Sequence, residues 1–182
     1  MNITAGKFKG QKIVAPDENI TRPTLSKVRM SVFNTLQAMI EFEDKSFFDM
    51  FGGSGIMSLE ALSRGFSKVV CVEKNRKVYE VIKSNFKKYQ SESDLKLIFG
   101  DSTKICSKLN DKFDVIYIDP PYFSGIYENS LNSIKEICGG IVILEHVVEV
   151  DFSGFEILKQ KKYGEKFVTF LQKAEKQIKI TK

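Results

Sequence analysis

A carboxylate, a carbonyl and an aromatic ring stand together in the segment Asp119-Pro120-Pro121-Tyr122, directly after a short apolar run. Proline has no backbone N–H and cannot continue a buried strand, so the chain must turn away and leave Asp119 at the strand tip. Asp119 and the Pro120 carbonyl are acceptors for the two N–H groups of an exocyclic amine, and the Tyr122 ring suits stacking on a planar base. The segment therefore indicates chemistry on the amine of a base. A strand-ending turn around a packed tyrosine is the plainer alternative.

A glycine-rich segment, Asp49-Met50-Phe51-Gly52-Gly53-Ser54-Gly55, follows the first apolar run. Gly53 and Gly55 let the backbone turn sharply and approach a ligand closely. Glu73 lies 18 residues beyond Gly55, about where an acid binds ribose hydroxyls in nucleotide sites. Ser58 stands at the third position of a Gly-x-Gly-x-x-Gly pattern, which makes a nicotinamide-dependent oxidoreductase the weakest hypothesis. For this segment alone, a tight turn without a ligand remains an alternative.

An acidic residue lies at or just after the end of each of five apolar runs. These residues are Asp49, Glu73, Asp101, Asp119 and Glu145. In an open parallel sheet the ligand lies outside the carboxyl ends of the strands, where these acids would meet. Crowded carboxylates are costly unless a ligand presents hydroxyls, amines or positive charge. Helix capping explains an aspartate at such a position. Glutamate is a poor capping residue, so capping does not explain Glu73 and Glu145 well.

The five apolar runs alternate with segments long enough for helices. The runs cover residues 47–50, 68–72, 95–99, 115–118 and 141–144, and the predicted helices cover 54–64, 75–89, about 103–109 and about 126–137. Most runs are too continuous for half-exposed strands and are typical of a parallel sheet buried on both faces. This alternation predicts an α/β fold with a mostly parallel sheet. Residues 155–172, interrupted at 163–165, predict an antiparallel hairpin at one sheet edge.

The N-terminal part differs from this pattern. Gly6 and Gly10 predict turns between two short strands in the first fifteen residues. Leu25, Val28, Val32, Leu36 and Ile40 then recur at helical spacing and predict an amphipathic helix. We therefore predict a small extension over 1–40, made of hairpin and helix, and a main domain over 41–182.

Charge is distributed unevenly along the 182 residues. The net charge is +5, but residues 1–29 carry +4 and residues 159–182 carry +6, which leaves −5 in between. Basic ends are typical of proteins that bind a polyanion such as nucleic acid. A lysine-rich surface that serves solubility explains the charge equally well.

Several classes of protein are disfavoured. The apolar fraction of 42% is typical of a globular protein, no apolar run approaches the ~18 residues of a membrane span, and the first residues lack the apolar core of a signal peptide. Cys71, Cys106 and Cys138 form no Cys-x-x-Cys pair, and His146 has no second metal ligand at a suitable spacing. Cys71 and Cys106 are interpreted as buried fillers and Cys138 as part of a turn. We expect a cytoplasmic protein without a metal site.

Several further segments resemble the RsmD family of S-adenosylmethionine-dependent methyltransferases. The resemblance extends to about residue 173 and rests on segments 5–10, 21–24, 28–29, 33–34, 49–55, 60–65, 72–74, 119–122, 145–146 and 163–164. It departs from the family at Gly52, where alanine is usual, and in the lysine-rich end after residue 173. The resemblance implies a Rossmann-like class I methyltransferase fold and methylation of the N2 amine of one guanine in 16S ribosomal RNA.

The resemblance also implies residue roles. Asp49, Gly53 and Gly55 would lie against S-adenosylmethionine, Glu73 would bind its ribose hydroxyls, and Asp101 would accept from its adenine amine. Asp119 and Pro120 would accept from the guanine amine, with Tyr122 stacked on the unstacked base. Residues expected to contact RNA phosphates are Arg22, Lys27 and Arg29. The hairpin lysines 159, 161, 162 and 166 either do the same or form a solvated face.

The expected partner is 16S ribosomal RNA, in the small subunit or an assembly intermediate, and the expected state is a monomer. Methylation of an amine needs no cysteine nucleophile, in contrast to methylation of a ring carbon. Two alternatives stay open. One is an adenine-N6 or other amino-methyltransferase acting on DNA or another RNA, and the other is a non-catalytic RNA-binding factor in ribosome assembly.

Overall fold

The structure is a computed structural model that describes residues 1–17, 25–91, 94–121 and 125–174. The helices of these residues are α1 (Ser26–Gln37), α2 (Ile56–Ser63), α3 (Arg76–Phe86), α4 (Ser102–Cys106) and α5 (Ile126–Ser133), with a 3-10 turn at Lys87–Tyr89. The strands are β1 (Ser46–Asp49), β2 (Lys68–Glu73), β3 (Asp94–Phe99), β4 (Phe113–Ile118), β5 (Cys138–His146), β6 (Phe155–Tyr163) and β7 (Lys166–Lys173). None of the described helices is long and apolar enough to cross a membrane.

The described strands form one sheet in the order β3-β2-β1-β4-β5-β7-β6. Strands β1 to β5 are parallel to one another, whereas β7 is antiparallel to both β5 and β6. The chain order reverses between β1 and β4, where a ligand crevice is expected in an open α/β sheet. The predicted α/β fold with a closing antiparallel hairpin is confirmed.

Apolar side chains point alternately to the two faces of the sheet. Phe47 of β1 belongs to a cluster with α1, α2, α3 and the N-terminal segment, and Phe48 belongs to a second cluster with α4 and α5. The central strands are therefore covered on both faces, as their continuous apolar runs predict. β3 lies at the edge and alternates exposed with half-buried residues, so it is an exception to that expectation.

The predicted pair of N-terminal strands is present only as a short antiparallel pairing around an isolated bridge between Asn2 and Lys12. The Ile3 amide donates to the Gln11 carbonyl at 3.0 Å, and the Ile13 amide donates to the Met1 carbonyl at 2.9 Å. The amides of Thr4 and Ala5 donate to the Glu60 carboxylate of α2 at 2.8 and 3.1 Å, instead of extending a ladder. Docking of Thr4 and Ala5 on α2 therefore keeps the strand pairing in this segment short.

Cys138 also differs from its prediction, since it is the first residue of β5 and not part of a turn. Gly140 lies in this first part of β5, next to β4. A Cβ at Gly140 would lie 2.4 Å from the Asp114 carbonyl oxygen, so glycine allows β5 to approach β4 closely. Cys71 and Cys106 are buried, as predicted.

Candidate active site

The turn after β1 has the left-handed backbone that its glycines predict. Gly53 and Gly55 have φ angles of +55° and +75°, and the Gly55 amide donates to the Gly52 carbonyl at 2.7 Å. A Cβ at Gly55 would lie 3.0 Å from Ile82 and 3.1 Å from Phe86 of α3. The turn thus leads directly into α2 while it packs against α3.

Glu73 at the tip of β2 is fixed by two backbone amides. Its Oε2 accepts from the Gly53 amide at 3.0 Å, and its Oε1 accepts from the Asn75 amide at 2.7 Å. The carboxylate therefore connects the glycine turn to the start of α3. A carboxylate held in this way has further lone pairs for a pair of hydroxyl groups.

Asp49 at the tip of β1 is buried, and its Oδ2 accepts from the Ser58 hydroxyl at 2.7 Å. Its Oδ1 has no hydrogen-bond partner among the described residues. Burial raises the pKa of Asp49 to about 7, the Ser58 hydrogen bond opposes this rise, and the charges of Asp119 and Glu73 add to it. A positively charged group nearby would stabilise the ionised form of Asp49.

Ser58 lies at the candidate site, although in the sequence it is only a mismatch to the Gly-x-Gly-x-x-Gly pattern. It occupies the position where a dinucleotide fingerprint has glycine, and there it donates to the buried carboxyl of Asp49. In the sequence, the feature that could have identified Ser58 is a hydroxyl residue one helical turn after the glycines.

Asp101 after β3 caps α4. Its Oδ1 accepts from the Thr103 hydroxyl at 2.6 Å and from the amides of Thr103 and Lys104 at 3.0 and 3.3 Å. The Thr103 hydroxyl is the main cause of a lowered pKa of Asp101. Asp101 also borders a cleft of about 420 Å³, whose other lining residues are Phe51, Lys74, Ser102, Thr103, Ile126 and Asn129. The capping role and a role toward a ligand in this cleft are compatible.

Asp119 at the tip of β4 is partly accessible, with its side chain 18% exposed, and Pro120 next to it is buried. Lys166, the first residue of β7, places its ammonium 3.2 and 3.4 Å from the two carboxylate oxygens of Asp119. The same ammonium donates to Glu145 Oε2 at 2.6 Å. Lys166 therefore faces the carboxylates at the strand tips, whereas the sequence predicted either a phosphate contact or a place on a solvated hairpin face. Tyr122 lies outside the described residues.

Glu145, at the tip of β5, is fully buried and accepts from the Tyr117 hydroxyl as well as from Lys166. His146, which follows it, is buried between the Val148 carbonyl at 2.7 Å and the Thr169 hydroxyl at 2.8 Å. Both ring nitrogens of His146 are thus occupied by the protein, which supports a structural role.

The three residues expected at RNA phosphates differ in their placement. Arg22 lies outside the described residues, and Lys27 is exposed on α1. Arg29 is 0% exposed, and its guanidinium contacts Glu60 at 3.3 Å and the Asn2 carbonyl at 2.8 Å. Arg29 is therefore not accessible to a phosphate, against the prediction, because it is the buried counterion of Glu60.

The chain is similar to a known protein family and to several known proteins. Residues 1–172 match the family model described as "Conserved hypothetical protein 95". The chain is 31% identical over 158 residues to "Putative rRNA methyltransferase YlbH" of Bacillus subtilis, covering 83% of this chain and 85% of that protein. It is 27% identical over 136 residues to "Ribosomal RNA small subunit methyltransferase D" of Escherichia coli, covering 75% of this chain and 67% of that protein.

The fold is also similar to a solved structure, "Putative methyltransferase yhhF from Escherichia coli". The TM-score is 0.83 at 23% identity, and the match covers 95% of this chain and 97% of that chain. The predicted Rossmann-like methyltransferase fold is thereby confirmed.

Proposed function

The chain belongs to the family described as Conserved hypothetical protein 95, the RsmD family of methyltransferases, and on this premise we propose that it methylates the N2 amine of a guanine in 16S ribosomal RNA with S-adenosylmethionine as donor. The observation that carries the proposal is the adjacency of two strand tips. β1 and β4 are neighbours in register, with Asp49 opposite Tyr117, two residues before Asp119. The buried carboxyl of Asp49 therefore experiences the charges of both Glu73 and Asp119.

The residues around the glycine turn fit a cationic nucleoside cofactor. The buried, unpartnered Oδ1 of Asp49 suits a group with positive charge or N–H donors, and the fixed carboxylate of Glu73 suits ribose hydroxyls. Asp101 borders the neighbouring cleft, where it would accept from an adenine amine. When bound, S-adenosylmethionine supplies a methyl group that its sulfonium makes electrophilic.

Asp119 and Pro120 would act on the substrate amine. The amine lone pair is delocalised into the guanine ring, so the nitrogen is a weak nucleophile until it becomes pyramidal. Hydrogen bonds from its two N–H groups to the Asp119 carboxylate and the Pro120 carbonyl would favour that geometry. These acceptors would bind more strongly as positive charge develops on the nitrogen, which is the condition for lowering the barrier.

The test is incubation with labelled S-adenosylmethionine and small ribosomal subunits that lack the modification, followed by nucleoside analysis. We expect label in N2-methylguanosine. Labelled N6-methyladenosine, or no label in RNA, would contradict the proposal.

Asp119→Ala separates catalysis from RNA binding. We expect this variant to lose at least about 100-fold in methyl transfer, because a charged transition-state contact is removed, while RNA binding persists. Asp94→Ala, at an exposed carboxylate of β3, is the matched control and should keep full activity. If both variants transferred methyl groups equally well, Asp119 would have no catalytic role.

A further inference from the structure

Lys166 connects a buried acid to the carboxylate proposed to hold the substrate amine. Its ammonium is 2.6 Å from Glu145 Oε2 and 3.2 and 3.4 Å from the oxygens of Asp119. Glu145 is fully buried and also accepts from the Tyr117 hydroxyl, so the anchor of Lys166 is fixed from both sides. Lys166 itself is 23% exposed, which leaves its ammonium in reach of a ligand at the β4 tip.

Binding of a substrate amine changes the hydrogen bonds of Lys166. The amine would engage the Asp119 oxygens that Lys166 faces in the free protein, while the shorter contact to Glu145 holds the ammonium in place. An ammonium donates up to three hydrogen bonds and accepts none. A donor of Lys166 that turns away from Asp119 would then be able to bond to an acceptor of the substrate bound at the β4 tip.

The Watson–Crick edge of guanine presents the matching pattern. It carries the N2 amine and N1–H as adjacent donors, followed by O6 as an acceptor. Asp119 offers two acceptors, and Lys166, whose ammonium contacts both of them in the free protein, offers a donor. The groups at the β4 tip therefore match in kind the two donors and the acceptor of this edge. The amine of adenine is flanked by ring nitrogens that carry no hydrogen, and one of them would face an oxygen of Asp119.

We propose that Lys166 is a specificity-determining residue that donates a hydrogen bond to O6 of the target guanine, with Glu145 as its positioning residue. The inference rests on the proposed function, since it requires a guanine amine at Asp119. The inference adds a residue that recognises the base to the residues that bind the amine.

A double-mutant cycle between protein and substrate tests the contact. The protein change is Lys166→Met, and the substrate change replaces the target guanine of a synthetic ribosomal RNA fragment, mapped with the unaltered protein, by 6-thioguanine. This analogue keeps N1–H and the N2 amine but has sulfur, a weaker acceptor, in place of O6. The measured quantity is kcat/KM for methyl transfer in all four combinations.

With the unaltered protein we expect the sulfur substitution to lower kcat/KM, and Lys166→Met to lower it by about 10- to 100-fold on guanine, the range for a hydrogen bond to a charged donor. With Lys166→Met the sulfur substitution should have almost no further effect. The inference would be overturned if the loss of kcat/KM in the doubly changed combination equalled the product of the two separate losses. That result would mean that Lys166 and O6 do not interact.

Further variants separate recognition from folding. Lys166→Arg keeps a charged donor and should retain part of the preference for guanine over 6-thioguanine. Lys166→Met combined with Glu145→Gln avoids an unpaired buried carboxylate and should show the same loss of preference with a restored melting temperature. Lys83→Met, at an exposed lysine of α3, is the matched control and should behave like the unaltered protein.

The two proposals fail in different ways. If the unaltered protein forms no N2-methylguanosine, the proposed function fails and the inference fails with it. If it forms N2-methylguanosine but Lys166→Met keeps the full preference for guanine, only the role of Lys166 is refuted.

Discussion

Asp49 is a buried carboxyl group whose ionised form is destabilised by its surroundings. Burial raises its pKa to about 7, well above the value of an aspartate in the unfolded chain. The folded protein therefore holds this proton more tightly than the unfolded chain does. The resulting stabilisation is complete below about pH 4 and is lost as the pH rises through about 7.

Asp49→Asn is expected to raise the free energy of unfolding at pH 8, by up to about 4 kcal/mol, because the variant has no charge to bury. At pH 4 the difference from the unaltered protein should be small. Thermal denaturation between pH 4 and pH 8 measures this, with Glu43→Gln at an exposed carboxylate as control. Equal stability of the variant and the unaltered protein at pH 8 would show that the charge of Asp49 does not destabilise the folded state.

The same substitution should weaken binding of S-adenosylmethionine at pH 8. A cationic ligand favours the ionised form of Asp49, and asparagine lacks that charge. Calorimetric titration of the two proteins tests this. Stability and cofactor affinity are thus expected to change in opposite directions, which a general packing defect would not produce.

At the scale of elements, helix α1 carries two basic residues with different surroundings. Lys27 is exposed, whereas Arg29, two positions later, is buried against Glu60. Residues two apart on a helix do not share a face, which explains why one helix presents one cation to solvent and another to the core.

We expect Lys27→Ala to weaken binding to ribosomal RNA and to reduce the salt dependence of binding by about one unit of slope, at unchanged stability. Arg29→Met should instead destabilise the fold by about 3 kcal/mol, because a buried ion pair is broken. Filter binding at several salt concentrations and thermal denaturation measure the two effects. An Arg29 variant that remains stable but loses RNA affinity would restore the original prediction for Arg29.

The N-terminal segment docks on α2 through a glycine turn. Gly6 and Gly10 have φ angles of +81° and +86°, but only at Gly6 would a Cβ collide with its surroundings, 1.8 Å from the Ser63 carbonyl oxygen. A Cβ at Gly10 meets nothing within 4 Å.

Gly6→Ala is therefore expected to destabilise the protein by about 3 kcal/mol or more, since the segment must move off α2. In Gly10→Ala the only unfavourable factor is the left-handed backbone, so the variant should lower the free energy of unfolding by about 1 kcal/mol. Chemical denaturation of both variants provides the comparison. Equal costs would mean that the segment is not held against α2.

At the scale of the whole molecule, the predicted extension over 1–40 shares its core with the sheet. Ile3, Phe8 and Ile13 belong to the same buried cluster as Phe47 and Val115. The Glu60 carboxylate adds polar contacts to Thr4, Ala5 and Arg29. The extension therefore covers one face of the sheet and closes that half of the core.

We expect the full chain to unfold in one cooperative transition, and a fragment of residues 41–182 to be unfolded or aggregated, because apolar surface of the sheet would be exposed. Calorimetry of the chain and circular dichroism of the fragment test this. A stably folded fragment would support the predicted division into two units.

The strands of the sheet and the acids at their tips are predictable from local stretches of sequence. A continuous apolar run and the residue that ends it are neighbours in the chain, so both are visible without a structure, as at Val115 and Asp119. The same holds for the glycine turn after β1, because left-handed backbone there selects glycine at Gly53 and Gly55.

The burial and pairing of the charged groups, in contrast, depend on contacts between residues far apart in the chain. Arg29 and Glu60 are 31 residues apart, and Lys166 and Asp119 are 47 residues apart. No local pattern distinguishes the buried Arg29 from the exposed Lys27, or places Lys166 beside Asp119 and not on a solvated hairpin face. Burial and pairing of these charges depend on elements that come into contact only when the sheet is assembled. For that reason the sequence does not predict which cations are accessible.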